Sequence, residues 1–303
     1  MSSKTKIKNT KIKGDNVAKS SEQIRFIDLF SGMGSFHYSF TKAGMKCVMA
    51  SDICEPTKSV YNSNYGLIPR GDIYDIKVTD VPKYDILCAG FPCQPFSQAG
   101  KRKGFDDERG TVFYQIMKFV KHHSPRIIVF ENVKSLLSHN KGETFKIMKK
   151  AMEDEGYEVI HKVLTCDHYG IPQGRKRLFI VGYKNIKAKN IEKFFDLEKY
   201  KKKVNLSDYL GRKFERETAF TIRCGGKASP IDDRHNWDGY WIDENGERIA
   251  HRLTIKEALK LQGFDENYKF EGKTTELWKM LGNTIPTIFT KIIAEQLLYH
   301  FEF

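Results

Sequence analysis

The sequence has no apolar run of membrane-spanning length, and its N-terminus lacks the apolar core of a signal peptide. Its six cysteines include no CxxC pair, and no histidines follow at the spacing of a zinc site. Internal repeats are also missing. These absences predict an intracellular, cytoplasmic protein with reduced thiols, no membrane contact and no bound metal.

The charge is strongly one-sided. Lysine and arginine number 51 against 38 acidic residues, which gives a net charge of +13 and a pI of about 9.3. Such an excess favours a polyanionic partner such as nucleic acid, although lysine-rich solvated faces explain it equally well. Residues 1–20 carry six lysines and little apolar content, so we expect a flexible basic arm. The arm is either a solubilising tail or a source of phosphate attraction.

Short apolar runs alternate with longer amphipathic stretches from Ile24 onward. This rhythm is typical of βα units and predicts an α/β fold with a doubly wound, mostly parallel sheet. The predicted buried strands are Ile24 to Leu29, Cys47 to Ala50, Tyr84 to Cys88, Ile127 to Phe130 and Leu178 to Gly182. After residue 183 the rhythm is lost, and a glycine- and aromatic-rich stretch predicts a small loop- and strand-rich domain. Helical spacing returns near residue 254.

The residues just after the predicted strands are the first candidates for a site, because ligands of open parallel sheets bind outside the carboxyl ends of the strands. Gly32 and Gly34 form a turn after the first strand that lets a backbone approach a ligand, although an ordinary tight turn is the alternative. Asp52 and Asp72 follow later and suit a ribose diol, whereas a lone Asp also caps helices. Because the turn does not fit GxGxxG, we expect an adenosine-type ligand without a pyrophosphate.

A second group of candidates could carry chemistry. Cys93 follows the third strand in a proline-stiffened loop, which suits a nucleophile, although a free cysteine is more often a buried core residue. Glu131 follows the fourth strand, so its carboxylate should face the same crevice. The basic cluster 173–177 precedes the fifth strand. Its guanidinium groups could bind a phosphate or a base carbonyl, and the alternative is a solvated basic turn.

Taken in order, these segments resemble the motifs of the cytosine-5 DNA methyltransferase family, of the HhaI type of bacterial modification enzyme. The matching segments are Asp28 to Gly34, Gly90 to Ser97, Glu131-Asn132-Val133, Gln173-x-Arg175-x-Arg177, Arg252-Leu253-Thr254 through Leu261-Gln262-Gly263-Phe264, and Gly282-Asn283 with Pro286. The resemblance spans nearly the whole chain. Two departures are Asp52, where Glu is more frequent, and Ile53, where some members have Trp.

The resemblance implies four regions and a Rossmann-like methyltransferase fold. They are a basic arm over 1–20, a catalytic and cofactor-binding domain over 21–185, a linker and target recognition domain over 186–251, and a return to the catalytic domain over 252–303. The recognition region is short, which argues against a long or degenerate recognition sequence. A palindrome of about four base pairs would suit a monomer with so small a domain.

The resemblance also implies S-adenosylmethionine as the cofactor and double-stranded DNA as the partner, with the target cytosine flipped out of the duplex. Cys93 would attack C6, Glu131 would act at N3, and Arg177 would hold O2. Arg175 would contact phosphate or the catalytic loop. The expected cofactor residues are Phe30, Gly32, Gly34, Asp52, Ile53, Asp72, Ile73, Pro92 and Asn283. The expected DNA contacts are Gln173, Thr221, Arg223, Arg234, Lys101 and Arg102.

Two rival functions differ in substrate or in activity. One branch of the same fold methylates transfer RNA, but the recognition region lacks the Cys-Phe-Thr tripeptide of that branch. The other rival is an inactive DNA-binding regulator, against which the joint presence of Cys93, Glu131, Arg175 and Arg177 argues. We therefore expect a bacterial or viral modification enzyme, with a separate cognate endonuclease as a possible companion.

Overall fold

The computed structural model describes residues 23–92, 112–225 and 228–303. One sheet of six strands forms its centre, in the order β2-β1-β3-β4-β6-β5. Its strands and the helices between them are β1 (Arg25–Leu29), α1 (Ser35–Lys42), β2 (Lys46–Ser51), α2 (Glu55–Tyr65), β3 (Ile86–Gly90), α3 (Val112–His123), β4 (Ile127–Val133), α4 (Glu143–Asp154), β5 (Glu158–Thr165) and β6 (Lys176–Tyr183). The first four strands in space are parallel, and β6 runs antiparallel to both of its neighbours.

Alternating side chains of the central strands bury against two helical layers. Phe26 and Val129 belong to the apolar cluster that contains the inner faces of α1 and α2, whereas Ile27 and Ile128 pack with α3 and α4 on the opposite face. Strands covered on both faces must be apolar on both faces, which explains the continuous apolar runs of the sequence. The predicted doubly wound, mostly parallel fold is confirmed.

The sheet contains one strand that was not predicted, and one of the predicted strands runs antiparallel to its neighbours. β5 lies at the edge, where Glu158, His161 and Lys162 reach solvent, so it lacks the apolar run by which the other strands were found. The predicted fifth strand is β6, the one antiparallel member. An apolar run carries no information on strand direction, so the sequence could not reveal this.

A second, antiparallel sheet follows the large one. Its order is β10-β9-β8, and the strands are β8 (Lys213–Phe214), β9 (Gly239–Glu244) and β10 (Glu247–Arg252). β9 and β10 form a hairpin through Asn245 and Gly246, which both have the positive φ angles that a two-residue hairpin turn requires. Short elements connect it to the large sheet: β7 (Lys187–Ala188) and α5 (Leu206–Leu210).

The last part of the chain packs against the large sheet. It consists of α6 (Ile255–Leu261), α7 (Thr274–Asn283), α8 (Thr287–His300) and β11 (Phe301–Glu302). Thr254 precedes α6 as its N-cap and forms a capping box with Glu257. The side chain of each residue accepts a hydrogen bond from the backbone N–H of the other. α8 lies along α1, and Phe289 and Ile293 join the same apolar cluster as Phe26. In the part of the chain described, no helix combines the length and apolarity needed to cross a membrane.

Candidate active site

The antiparallel direction of β6 brings its amino end to the edge where β1, β3 and β4 have their carboxyl ends. Val133, at the end of β4, pairs with Arg177, near the start of β6. Motif residues that follow a strand and motif residues that begin one therefore meet at the same edge of the sheet. This edge is the ligand-binding side of an open α/β sheet.

Glu131 and Arg177 form a buried ion pair at this edge. Nε of Arg177 lies 2.8 Å from Oε1 of Glu131, and the glutamate is only 6% exposed. Burial raises the pKa of Glu131 above its ordinary value, although the charges of Arg177 and Arg175 lower it. A carboxyl group in such a place keeps a proton to a higher pH than a solvated one, so it can serve as a hydrogen-bond donor.

The end of β3 approaches this carboxyl group closely. A Cβ atom at Gly90 would lie 3.4 Å from Oε2 of Glu131 and 2.9 Å from Cδ1 of Ile285. Asn132 Nδ2 donates a 3.1 Å hydrogen bond to the Phe91 carbonyl, which fixes the chain directly after β3. Asn132 was predicted only as part of the Glu131-Asn132-Val133 motif, and its position next to Glu131 is the sequence signal for this role.

Pro92 is exposed and is the last described residue before the loop that contains the predicted nucleophile. Cys93 lies outside the described residues, and so do Lys101 and Arg102. The anchored Phe91 carbonyl nevertheless fixes where that loop leaves the sheet: beside Glu131.

Two residues of the basic cluster are structural in this conformation. Gln173 is fully buried, donates from Nε2 to the Leu261 carbonyl at 2.8 Å and accepts from the Ile222 N–H at 3.3 Å. The predicted contact of Gln173 with DNA stays a prediction, and it would require the side chain to give up these two internal hydrogen bonds. The polar side chain of Gln173 predicted a partner outside the protein, but its hydrogen-bond partners are backbone groups that lie far away in the sequence.

Arg175 is also buried, with 1% of its surface exposed. Its guanidinium donates to the carbonyls of Ile222, Gly282 and Thr284 at 2.7–2.8 Å. The expected contact of Arg175 with phosphate or with the catalytic loop stays a prediction, because residues 93–111 lie outside the described residues. Burial and the nearby charge of Arg177 lower the pKa of Arg175, while Glu131 raises it. A guanidinium remains charged at neutral pH, so its positive charge still acts on Glu131.

The predicted cofactor residues of the first two strands meet around one carboxylate. Asp52 accepts the Gly32 N–H at Oδ2 and the Cys54 N–H at Oδ1, each at 2.9 Å. Burial raises the pKa of Asp52, against the lowering effect of these N–H groups. Next to it, the side chain of Ile53 is 73% exposed, which is unusual for a large apolar residue and leaves an apolar surface for a flat ring.

The glycine-rich turn has no room for a side chain at Gly34. Gly34 has a φ of 79°, and a Cβ atom there would lie 2.4 Å from the ring of Tyr65. Phe30 has a positive φ of 57°, a rare conformation for an aromatic residue that often marks a functional turn. Beside the turn, the oxygens of Asp28 and Ser31 are buried and have no hydrogen-bond partner among the described residues. A tight turn beside unpartnered polar atoms fits a polar, adenosine-type cofactor.

The remaining predicted cofactor residues lie at later turns. Asp72 accepts the Tyr74 N–H at 3.0 Å, and Ile73 is buried, with its carbonyl accepting from Gln115 Nε2. Asn283 is exposed at the end of α7, where its Oδ1 accepts a hydrogen bond from the thiol of Cys224 at 2.8 Å. The buried side chain of Ile73 is not available to a cofactor, so only its backbone could make a contact. Asp72 and Asn283, in contrast, expose polar side-chain groups.

The predicted recognition residues lie in the segment between β8 and β9. Thr221 donates to the Gly174 carbonyl at 3.2 Å, so it is held beside the basic cluster. Arg223 and Arg234 are exposed, as side chains that contact phosphates or bases must be. Thr221, Arg223 and Arg234 therefore stay predicted DNA contacts, whereas Gln173 uses both ends of its amide inside the protein.

A doubly wound sheet with an adenosine-type turn, a paired buried carboxyl group and a small antiparallel sheet defines the class of cofactor-dependent group-transfer enzymes with a Rossmann-like fold. A family model described as C-5 cytosine-specific DNA methylase matches residues 24–241 and 234–299. The chain belongs to this family and is a cytosine-5 DNA methyltransferase that uses S-adenosylmethionine as methyl donor.

Individual relatives agree with the family assignment. The type II methyltransferase M.DsaV of Dactylococcopsis salina is 32% identical over 93% of this chain and 88% of its own length. The type II methyltransferase M.HhaI of Haemophilus parahaemolyticus is 32% identical over 89% of this chain and 93% of its own length. The crystal structure of the S. pombe Dnmt2 methyltransferase has the same fold, with a TM-score of 0.70, 21% identity, and coverage of 91% of this chain and 99% of that one.

Proposed function

We propose that this methyltransferase modifies a flipped cytosine in a short duplex sequence through a covalent bond from Cys93 to C6. The observation that carries the proposal is the buried pair of Glu131 and Arg177 at the ligand edge of the sheet, beside the chain that leads to Cys93. Cytosine C5 is a weak nucleophile until a group adds at C6. An enzyme for this reaction therefore needs a nucleophile, a proton donor at N3 and a grip on the base, and these residues provide all three.

In the proposed reaction, the thiolate of Cys93 forms the Sγ–C6 bond, and the electron pair of the C5–C6 double bond becomes available at C5 as charge moves towards N3. Glu131 offers its proton to N3, which neutralises that charge. S-adenosylmethionine, when bound, supplies an electrophilic methyl group for C5. A base then removes the C5 proton, elimination breaks the Sγ–C6 bond and frees the thiolate of Cys93, and the N3 proton returns to the Glu131 carboxylate.

The raised pKa of Glu131 supports its role as a proton donor, because a carboxyl group with an ordinary pKa would be ionised near neutrality. Arg177 supports a second role, because its Nε holds the carboxyl group and its Nη1 donates to the Lys176 carbonyl, which leaves Nη2 for a base oxygen such as O2. We place Arg175 among the positioning residues, because its guanidinium donates to three backbone carbonyls.

The proposed cofactor site comprises the Gly32 and Gly34 turn, Asp52 with Ile53, Asp72 and Asn283. Asp52 is suited to a ribose diol, and exposed Ile53 to one face of an adenine ring. The buried oxygens of Asp28 and Ser31 offer hydrogen bonds that the described residues do not satisfy. The site thus fits a nucleoside cofactor that carries a charged amino-acid portion.

The proposed biological setting is the modification half of a restriction-modification system, as the names of the bacterial relatives indicate for those proteins. We propose a monomeric enzyme that acts on double-stranded DNA in the cytoplasm, with a cognate endonuclease acting separately. The small three-stranded sheet favours a short target, and exposed Arg223 and Arg234 are the proposed DNA contacts.

The test measures transfer of labelled methyl from S-adenosylmethionine to duplex DNA, with bisulfite sequencing of the product. The wild-type chain should protect cytosines in one short motif, and Cys93→Ser should abolish the protection. Cys47→Ser is the matched control, because that cysteine packs near Tyr61 in the core of the fold. Transfer to RNA alone would favour the RNA-methylating rival, and binding of DNA without any transfer would favour the inactive regulator.

A further inference from the structure

One guanidinium holds together two segments that are distant in sequence. Arg175 Nη1 donates to the Ile222 carbonyl at 2.8 Å, and Nη2 donates to the carbonyls of Gly282 and Thr284 at 2.8 and 2.7 Å. Ile222 lies in the segment 221–225, whereas Gly282 and Thr284 belong to the segment 282–284 at the end of α7. Burial of an arginine is costly, and three carbonyl acceptors are the means by which this cost is offset.

The two segments also touch each other directly. A Cβ atom at Gly282 would lie 2.3 Å from the Cys224 nitrogen and 2.5 Å from the Arg223 carbonyl carbon, so only glycine permits this contact. Cys224 Sγ lies 2.8 Å from Asn283 Oδ1. Cys224 is exposed, but the protein groups around its thiol still raise the pKa by partial desolvation, so it keeps the proton with which it donates to this oxygen. We call this contact, formed by Arg175, Cys224, Gly282 and Asn283, the segment clamp.

Each side of the clamp carries residues of a different proposed site. Thr221 and Arg223 are proposed DNA contacts on one side, and Asn283 is a proposed cofactor residue on the other. Cys224 donates a hydrogen bond to Asn283 and directly follows Arg223 in the chain. A ligand that fixes one segment therefore fixes the other through the shared contact, and the second ligand then meets a segment that is already ordered.

We propose that the segment clamp couples cofactor binding to DNA binding, with Arg175 and Cys224 as positioning residues that contact neither ligand. The inference rests on the proposed cofactor and DNA sites. Because coupling between two binding equilibria is reciprocal, DNA raises the affinity for the cofactor by the same factor by which the cofactor raises the affinity for DNA. The clamp contributes part of this factor.

The experiment measures the dissociation constant of S-adenosylhomocysteine for the full chain, with and without a duplex that contains the motif mapped by bisulfite sequencing. The ratio of the two constants is the coupling factor, which we expect to be about fivefold or more in the wild type. Cys224→Ala should lower the factor by about threefold, in proportion to one lost hydrogen bond. Cys224→Ser should restore it, because a hydroxyl also donates to Asn283. Arg175→Lys should lower it further.

The matched control is Lys213→Ala, which removes an exposed ion pair with Asp243 in the small sheet and does not touch the clamp. A merely structural role would weaken both ligands in Cys224→Ala and leave the coupling factor at its wild-type value, and that result would overturn the inference. If Arg175→Lys does not fold, the comparison of the alanine and serine variants at Cys224 still decides. Absence of methyl transfer by the wild type contradicts the proposed function, whereas normal transfer with an unchanged factor contradicts only the coupling.

Discussion

Arg177 places its Nε 2.8 Å from Oε1 of Glu131, although the two residues belong to neighbouring strands that run in opposite directions. Glu131 lies near the end of β4 and Arg177 near the start of β6, so the antiparallel pairing is what brings them together. A parallel β6 would put Arg177 at the opposite edge of the sheet. The direction of one strand thus decides whether the acid has a cationic partner.

Substitution of Glu131 tests its role as a proton donor. Glu131→Gln keeps the size of the side chain but removes the transferable proton, so the rate of methyl transfer should fall by about 10²- to 10⁴-fold. The measurement is the single-turnover rate with saturating cofactor and DNA. Glu143→Gln is the control, because it removes an exposed ion pair with Lys146 on α4. An equal rate for Glu131→Gln and the wild type contradicts the assigned role.

Removal of Arg177 should move the pH profile of the reaction. The charge of Arg177 lowers the pKa of Glu131 against the larger raising effect of burial, so Arg177→Gln should raise that pKa further. The protonated form is the donor, and the rate should fall as the pH rises through the pKa of Glu131. In Arg177→Gln this descending limb of the pH profile should lie at higher pH. The maximum rate of the variant should also be lower than that of the wild type. A limb at its wild-type position, with the fold intact by circular dichroism, argues against the pairing in solution.

The sequence was sufficient to predict the location of the site residues that lie near the ends of strands. Buried parallel strands are apolar throughout, so their ends were visible: Asp52 directly follows β2, and Glu131 lies two residues before the end of β4, just after the apolar run. Side chains that stand at strand ends of a doubly wound sheet share one edge by topology alone. The geometry of the Asp52 carboxylate, bound to the Gly32 and Cys54 N–H groups, is the detail that required the structure.

The sequence was insufficient where a side chain finds partners far along the chain. Gln173 and Arg175 resemble exposed contact residues in type, but their partners are carbonyls 47 to 109 positions away. No local pattern indicates such a partner, because the acceptor is a backbone group that every residue has. For the same reason the contact between Cys224 and Asn283 could not be foreseen.

The glycine-rich turn can be tested with a pair of glycines. Gly34 and Gly44 both have positive φ, but a Cβ atom at Gly34 would clash with Tyr65, whereas nothing lies within 4 Å of one at Gly44. Gly44→Ala should cost about 1–2 kcal/mol of unfolding free energy from backbone strain alone. Gly34→Ala should cost about 1–3 kcal/mol more from overpacking. Urea unfolding measures both values.

The same pair tests whether the turn binds the cofactor. Because Gly34→Ala displaces the turn, its dissociation constant for S-adenosylhomocysteine should rise, and that of Gly44→Ala should stay near the wild-type value. Calorimetric titration of the folded variants gives both constants. Equal constants for the two variants would place the cofactor away from this turn.

The buried carboxyl group of Asp28 should make stability depend on pH. Burial raises its pKa well above the ordinary value, the nearby His37 backbone N–H opposes the rise, and Asp52 adds to it. Neither oxygen of Asp28 has a partner in full hydrogen-bond geometry among the described residues. The folded chain therefore holds a proton on Asp28 at pH values where the unfolded chain has lost it. Stability from this group is fully present below the unfolded pKa and is lost as the pH rises towards the folded pKa.

Asp28→Asn removes this titration while keeping the shape of the side chain. The loss of melting temperature between pH 5 and pH 9 should therefore be smaller in Asp28→Asn than in the wild type, measured without cofactor so that binding does not contribute. Asp154→Asn, at an exposed ion pair with Lys150, is the control and should follow the wild-type curve. Parallel curves for Asp28→Asn and the wild type would mean that Asp28 is hydrated or paired in solution. Its unpartnered oxygens would then be no evidence for a polar ligand beside the turn.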